Sequence, residues 1–403
     1  MPVLQNIAQL AACPPGNPQS DAGLISNAAV VWQGNTVRWA GHAPDLPHEF
    51  ANEPVIDCEQ RLVIPGLVDC HTHLCFGGWR GDEFALRIGG ASYQEIAAAG
   101  GGISSTVTAT RSARLGELKR KASGILDDML KLGITTVECK SGYGLDMANE
   151  LKQLEVYRQL DQSHPVDLVP TFLGAHVVPR EYADRREKYI DLLCEELIPV
   201  IAREGLARFC DAFVEDGAFT VGEARRIFSV AVAHGLKIKV HADQLSDGGG
   251  ALLAADLDAV SAEHLEYISQ DGIEALARSG TVAVSLPLAS FYLDEPFLPA
   301  RKLISAGVPV AVATDFNPGS APSFHLPLAM TMACLHQRMT PEEVLNGATA
   351  IAARAICADD RSGSLAPGYR ADLAIIDAPS LNHWLYHFVP NACVNVLKNG
   401  NWV

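Results

Sequence analysis

The stretch Ile64-Pro65-Gly66-Leu67-Val68-Asp69-Cys70-His71-Thr72-His73 is an apolar, β-branched run that ends in two histidines. It predicts a strand over residues 62–74. Side chains alternate between the two faces of a strand, so His71 and His73 point the same way, roughly 6–7 Å apart along the chain. That spacing is what two ligands of one ion require.

Seven further apolar runs alternate with segments of helical periodicity, and many of those segments end in glycine. The predicted strands are residues 134–140, 167–176, 207–214, 236–241, 257–264, 281–286 and 308–314. Regular alternation of strands and helices predicts a parallel sheet, and eight strands favour an α/β fold closed into a (β/α)₈ TIM-like barrel. An open sheet stays an alternative, because sequence does not show closure. No Gly-x-Gly-x-x-Gly turn follows the first strand, which disfavours a dinucleotide-binding fold.

The two ends of the chain have a different pattern from the middle. Residues 1–60 and 360–403 contain short alternating strands separated by turns, such as residues 29–32, 36–41 and 371–376. Each set is too small to fold alone. We therefore predict one small β-sandwich assembled from both termini, with the barrel of residues 61–359 inserted between them.

Composition and charge restrict the functional classes. Of 403 residues, 48% are hydrophobic and 19% are charged, which is ample for a large core and excludes disorder along most of the chain. The net charge of −16 predicts no binding to nucleic acid or to a membrane surface. A small anionic substrate is still compatible, because an arginine or a metal can invert the field inside a cleft. The ten scattered cysteines and the absence of a basic, apolar leader at the start predict a cytoplasmic protein.

Polar side chains recur where the predicted strands end. Strands three, five and six end in His176, His241 and His264, and strand eight runs into Asp315. Catalytic residues of parallel barrels lie at the carboxyl ends of the strands, so these side chains should meet the two histidines of the first strand on one rim. Three imidazoles and a carboxylate suit Zn²⁺ or Fe²⁺ with one position left open for water.

Two alternatives to this metal site follow from the same residues. An isolated His-x-His pair is usually structural, but its coincidence with the other strand ends favours a catalytic ion. Cys70 and Cys75 flank the pair and are themselves possible zinc ligands. Cys70 points to the opposite face of the strand from His71, which disfavours a cysteine ligand.

The first stretch, together with His241, His264 and Asp315, resembles the amidohydrolase superfamily of metal-dependent hydrolases. Within that superfamily the chain is similar to the imidazolonepropionase family of histidine degradation. The motifs that carry this similarity are residues 73–80 (HLCFGGWR), 100–103 (GGGI), 140–145 (KSGYGL), 172–176 (FLGAH) and 314–320 (TDFNPGS). The ordered set spans about residues 60 to 375 and is far more specific than any single motif.

The resemblance implies one divalent ion, zinc or iron, held by His71, His73, His241 and Asp315. It also implies a homodimer and a small-molecule substrate with a carboxylate tail. The side chains implied to contact that substrate are Arg80, Tyr143, His176, Gln244, Asn317, Gly319 and Ser320. Some family members carry Glu at position 244, whereas Gln can form hydrogen bonds but cannot act as a base.

The implied reaction opens the lactam ring of 4-imidazolone-5-propanoate to N-formimidoyl-L-glutamate, the third step of histidine degradation. Water activated by the ion would attack the ring carbonyl, and Asp315 would transfer its proton to the leaving nitrogen. His264 would hydrogen-bond the water or the developing oxyanion. Arg80 would anchor the propanoate, and Tyr143 would add a hydroxyl donor.

Other interpretations of these residues are less favoured. A deaminase of the same superfamily, acting on guanine or cytosine, would use a Glu near strand five, where this chain has Gln244. A barrel that has lost catalysis would lack a ligand, and none is missing. Arg80 could instead pair with Asp82 or Glu83 on a solvated loop. Lys140 corresponds in type to the carbamylated lysine that bridges two metals in some relatives, but no second ligand set accompanies it, so an ion pair is favoured.

Overall fold

The computed structural model describes residues 1–90 and 101–403, so Gly100 of one quoted motif lies outside the described residues. Within them, the strands form two separate sheets. The strands are β1 Val3–Ala11, β2 Leu24–Gln33, β3 Thr36–His42, β4 Val55–Pro65, β5 Leu67–Asp69, β6 Ile134–Lys140, β7 Asp167–Ala175, β8 Phe209–Val214, β9 Lys237–Ala242, β10 Ser261–His264, β11 Val282–Ser285, β12 Val310–Val312, β13 Leu373–Ile376, β14 Cys393–Lys398 and β15 Asn401–Trp402.

Helices connect the strands of the larger sheet and follow its last strand. Those described are α1 Gly81–Ile88, α2 Ile103–Ser112, α3 Leu115–Lys131, α4 Met147–Asp161, α5 Arg186–Asp191, α6 Ile198–Arg203, α7 Val221–Ala233, α8 Gly250–Asp256, α9 Gln270–Ser279, α10 Pro287–Leu293, α11 Ala300–Ser305, α12 Leu326–Gln337, α13 Pro341–Gly347, α14 Ala350–Ala355 and α15 Leu381–Tyr386. A π-helical turn, Leu192–Leu197, joins α5 to α6. None of the described helices is both long and apolar enough to cross a membrane.

Strands β5 to β12 pair in parallel and in chain order, which makes an eight-stranded sheet. The two edges of that sheet meet. The Asp315 amide donates to the His71 carbonyl at 3.1 Å, and the His73 amide donates to the Phe316 carbonyl at 2.8 Å. The Thr314 hydroxyl also donates to the Asp69 carboxylate at 2.6 Å. The sheet therefore curls into a barrel, and the predicted (β/α)₈ architecture is confirmed.

The second sheet is built from both termini, as predicted. Its seven strands run in the order β15-β14-β13-β4-β1-β2-β3. Strand β1 pairs in parallel with β4 and antiparallel with β2, and the carboxyl-terminal β13 pairs antiparallel with β4. The sheet is therefore mixed, and β4 is the strand at which the amino-terminal and carboxyl-terminal segments join.

The predicted single strand over residues 62–74 is wrong, because the chain breaks at Gly66. Val55–Pro65 belongs to the terminal sheet, and only Leu67–Asp69 belongs to the barrel. Pro65 has no amide hydrogen with which to continue a ladder. A Cβ on Gly66 would lie 2.3 Å from Thr135 Oγ1, so only glycine allows the chain to pass from one sheet to the other here.

Candidate active site

A cavity of about 460 Å³ opens where the barrel strands end, a volume that suits a small molecule. His71 lies beneath it and is fully buried. Every other predicted site residue lines this one cavity: His73, Arg80, Tyr143, His176, His241, Gln244, His264, Asp315, Asn317, Gly319 and Ser320. The structure thus brings together side chains that are hundreds of positions apart in the sequence.

The histidines and the aspartate form a compact cluster on the floor of the cavity. Asp315 Oδ1 lies 3.2 Å from His71 Nε2 and 3.4 Å from His73 Nε2. The rings of His71 and His241 are 4.6 Å apart, and the His264 ring is 5.5 Å from that of His241. Potential ligand atoms of His71, His73 and Asp315 lie within 4.8 Å of one another, as do those of His71, His241 and His264.

This cluster fits a divalent ion. Nε2 of His71 and of His241 is buried and has no hydrogen-bond partner in the part of the chain that the structure describes. Burial lowers the pKa of His73 to about 4, so its imidazole is neutral and able to coordinate at neutral pH. Neither Cys70 nor Cys75 belongs to a group of possible ligands among the described residues, which agrees with the preference for imidazole and carboxylate.

Backbone conformation turns two of these side chains toward the cavity. His264 has φ 76° and Asp315 has φ 55°, both in the left-handed region that non-glycine residues seldom occupy. Along a regular strand His264 would point away from its neighbour Glu263, yet both side chains lie close to His71. Strain of this kind concentrates at functional sites.

Two buried carboxylates stand behind the histidines. Glu263 Oε2 lies 2.7 Å from His71 Nδ1, and Asp211 Oδ2 lies 3.0 Å from His241 Nδ1. Burial would lower the pKa of His71, but the charge of Glu263 and the hydrogen bonds to Asp315 and Glu263 together outweigh burial and raise that pKa to about 9. Binding of an ion at Nε2 therefore releases a proton. A carboxylate at Nδ1 leaves Nε2 to face an ion. Sequence reasoning missed both acids. The available signal for Asp211 was a charged residue in the middle of the otherwise apolar strand β8.

The Arg80 guanidinium lies on the cavity wall beside Gly319. Its Nε donates to the Thr106 hydroxyl at 2.9 Å. Among the described residues it forms no ion pair with Asp82 or Glu83, and Glu83 instead accepts from the Gly102 amide at 3.0 Å. The guanidinium fork is thus positioned by a neutral partner, and its charge is left without an acidic partner in the described chain.

Tyr143 and His176 form the opposite part of the wall. Glu150 holds the Tyr143 loop by accepting from the Gly144 and Leu145 amides, both at 2.8 Å. The Gly142 carbonyl lies 3.0 Å from His176 Nδ1, and since a carbonyl only accepts, Nδ1 is the donor. Burial holds the pKa of His176 well below its usual range, so Nε2 is an acceptor.

Asn317 organises the loop that follows Asp315. Its Oδ1 accepts from the Gly319 and Ser320 amides at 2.7 and 2.8 Å, and its Nδ2 donates to the Asp315 carbonyl at 2.7 Å. The Ser320 hydroxyl reaches Asp315 Oδ2 at 3.4 Å. Asn317 therefore shapes the loop, and Ser320 lies beside the acid.

Comparisons with known proteins show the family to which the chain belongs. The amidohydrolase family model matches residues 62–403. The imidazolonepropionase of Symbiobacterium thermophilum is 48% identical over 96% of this chain and 92% of its own length. The imidazolonepropionase of Geobacillus thermodenitrificans is 47% identical over 95% of this chain and 92% of its own.

Among solved structures, an adenosine deaminase from Xanthomonas campestris with bound zinc aligns with all of this chain and with 92% of the deaminase chain. The TM-score is 0.73 at 18% sequence identity, so the similarity concerns the fold alone. The two imidazolonepropionases, by contrast, are similar to this chain over at least 95% of its length. The chain therefore belongs to the amidohydrolase family of hydrolases and, within it, to the imidazolonepropionase family.

Proposed function

We propose that the protein hydrolyses the lactam bond of 4-imidazolone-5-propanoate to give N-formimidoyl-L-glutamate in histidine degradation. One observation carries this proposal. One cavity has two overlapping groups of possible metal ligands, which share His71, on its floor and the Arg80 guanidinium on its wall. A lactam next to a carboxylate-bearing tail matches that combination of groups.

The proposed ligands of one divalent ion, zinc or iron, are His71, His73, His241 and Asp315. When bound there, such an ion lowers the pKa of a water molecule and polarises a carbonyl. Burial would raise the pKa of Asp315, but its contacts with His71 and His73 hold that pKa well below the usual range. The side chain is therefore a carboxylate at neutral pH, as a proton acceptor must be.

The bond changes are assigned to this chain's residues as follows. Asp315 accepts a proton from the attacking water and delivers it to the ring nitrogen as the lactam C–N bond breaks. The water oxygen becomes part of the new carboxylate of the product. His264, across the cluster from Asp315, hydrogen-bonds the oxygen on which negative charge develops.

The remaining cavity residues bind and orient the substrate. The Arg80 fork anchors the propanoate, and the Tyr143 hydroxyl donates to it or to the ring. Burial raises the pKa of Tyr143 beyond its usual range, so this hydroxyl keeps its proton. Gln244 and His176 hydrogen-bond the ring, and Asn317, Gly319 and Ser320 shape the end where product forms.

The test is to incubate the purified protein with 4-imidazolone-5-propanoate and to follow the loss of ultraviolet absorbance of the ring. Parallel reactions with guanine and with cytosine examine the deaminase alternative. Turnover of the imidazolone, together with no turnover of guanine or of cytosine, supports the proposal. Release of ammonia from guanine or cytosine, with the imidazolone unchanged, would overturn it. The homodimer implied by the family stays a prediction for light scattering on the purified protein.

A further inference from the structure

Five charged side chains lie inside the barrel beneath the histidine cluster, and none of them lines the cavity. All are fully buried, and they comprise three carboxylates and two ammonium groups: Glu138, Asp211, Glu263, Lys140 and Lys239. The cost of burying so many charges is high unless they are mutually paired. They have no part in the proposed bond changes, so their presence needs a separate physical reason.

Lys140 is the centre of this group. Its Nζ lies 2.9 Å from Glu138 Oε1, 2.9 Å from Asp211 Oδ2 and 2.9 Å from Glu263 Oε2. The ammonium group donates hydrogen bonds to Glu138 and Asp211, and it forms an ion pair with Glu263. Lys140 thus occupies the point on which three acids converge.

Two of those oxygens are the same atoms that face the proposed metal ligands. Asp211 Oδ2 also lies 3.0 Å from His241 Nδ1, and Glu263 Oε2 also lies 2.7 Å from His71 Nδ1. Lys239 Nζ contacts the other oxygen of Glu263, Oε1, at 2.8 Å. The rotation of each carboxylate, and therefore of each imidazole, depends on where the ammonium group lies.

The same position could accept a metal ion if it were vacated. Potential ligand atoms of Asp211, His241 and Glu263 lie within 4.8 Å of one another, and carboxylate oxygens are ligands that hard divalent ions accept. In this chain an ammonium group occupies the place between Asp211 and Glu263. Its single charge and its rigid position on β6 make it a permanent cation there.

We propose that Lys140 is a built-in cation that positions the metal ligands and takes the place of a second metal ion. It holds Asp211 and Glu263 against His241 and His71, so that the cavity-facing nitrogens are set for one ion only. The inference rests on the metal site of the proposed function and adds the reason why that site holds a single ion. Lys140 is a positioning residue, since it acts through the carboxylates.

The test measures zinc binding rather than turnover. Apoprotein prepared with a chelator is titrated with Zn²⁺ alone, affinity is obtained by competition with a chromophoric chelator, and bound zinc is counted by elemental analysis. We expect the unmodified chain to saturate at one ion. Lys140→Met should weaken that binding by about 10- to 100-fold, the usual cost of losing an outer partner of a metal ligand. At excess zinc it should also take up a second ion.

A matched control is available in the terminal sheet. Lys398 is also buried and contacts two carboxylates, Asp167 at 2.7 Å and Asp372 at 2.6 Å. Lys398→Met removes the same charge and should lower the melting temperature while leaving zinc affinity and stoichiometry unchanged. Equal zinc affinity in Lys140→Met and in the unmodified chain would overturn the proposal.

Two other measurements test the proposal if Lys140→Met does not fold. Glu138→Gln combined with Lys140→Met removes one charge of each sign, so the cluster keeps its net charge while Asp211 and Glu263 lose the ammonium group that both of them contact. Zinc binding by this double variant as tight as that of the unmodified chain would refute a positioning role. An unmodified chain that saturates at two ions would refute the exclusion of a second metal. An unmodified chain that binds no zinc would instead refute the proposed metal site itself.

Discussion

Adding one methyl group at Gly319 tests the proposed role of Arg80 as the substrate anchor with little other disturbance. A Cβ on Gly319 would lie 2.7 Å from Arg80 Nη1 and 2.9 Å from Arg80 Cζ. Nonbonded heavy atoms are in favourable contact at about 3.5 Å, so the guanidinium must move by roughly 0.8 Å. Its Nε is held by the Thr106 hydroxyl at 2.9 Å, and the fork therefore turns away from its position on the cavity wall.

A displacement of that size has a calculable cost. Misplacement by about 1 Å lowers reactivity by up to roughly 100-fold, and a hydrogen bond to a charged group contributes about 1.5–3 kcal/mol. We expect Gly319→Ala to raise KM for 4-imidazolone-5-propanoate by roughly 10- to 100-fold with a smaller change in kcat. The free energy of unfolding should fall by no more than about 1 kcal/mol, because the clash is with the end of a flexible side chain. Steady-state kinetics and thermal unfolding measure the two quantities.

Two controls separate the anchor from a general effect of the added methyl group. A Cβ on Gly124 in α3 would have no other atom within 4 Å, so Gly124→Ala should leave the kinetics unchanged. In an Arg80→Ala background there is no guanidinium to displace, so adding Gly319→Ala should raise KM little further. The same increase in KM on adding Gly319→Ala to the unmodified chain and to the Arg80→Ala variant would refute the reasoning. An unchanged KM in the Gly319→Ala single variant would also refute it.

Three further predictions concern the metal, the proton acceptor and a surface ion pair. Chelation of the ion should abolish activity, which should return when zinc or iron(II) is added to the apoprotein; full turnover by metal-free protein would contradict the site. Asp315→Asn should lower kcat by about 100-fold or more, because an amide cannot accept the proton; full activity would exclude Asp315 as the base. A hydrogen bond from Arg186 lowers the pKa of Glu223 to about 2, so this pair stabilises the fold above the ordinary pKa and loses that effect as the pH falls toward 2. Glu223→Gln should therefore lower the free energy of unfolding, measured with urea, by up to about 1 kcal/mol at pH 7 and by less at pH 3. Gln can keep the capping box with Thr220, so the substitution removes mainly the charge. An equal decrease at both pH values would contradict the ion-pair explanation.

Much of the fold and of the candidate site was predictable because the sequence patterns that indicate them lie within short stretches of the chain. Alternation of apolar strands with amphipathic helices predicts a parallel barrel, and a polar residue at a strand end predicts a rim position. His71, His73, His241 and Asp315 could be proposed as metal ligands because imidazole and carboxylate groups commonly bind metal ions and because the family resemblance implies this set, which stays a prediction. The break at Gly66 was not predictable, since the apolar run continues through it. Thr135, which makes glycine necessary there, is distant in the sequence.

The amino-acid sequence alone determines that this chain has the chemical groups of a metal-dependent hydrolase and repeats the strand–helix unit that collects them on one rim. Only the tertiary structure decides which acid stands behind which imidazole, and that Arg80 is held by Thr106 rather than by Glu83. The convergence of Glu138, Asp211 and Glu263 on Lys140 likewise depends on the relative register of three strands, β6, β8 and β10. Contacts of that kind depend on distances between segments far apart in the chain, and these distances exist only once the barrel has closed.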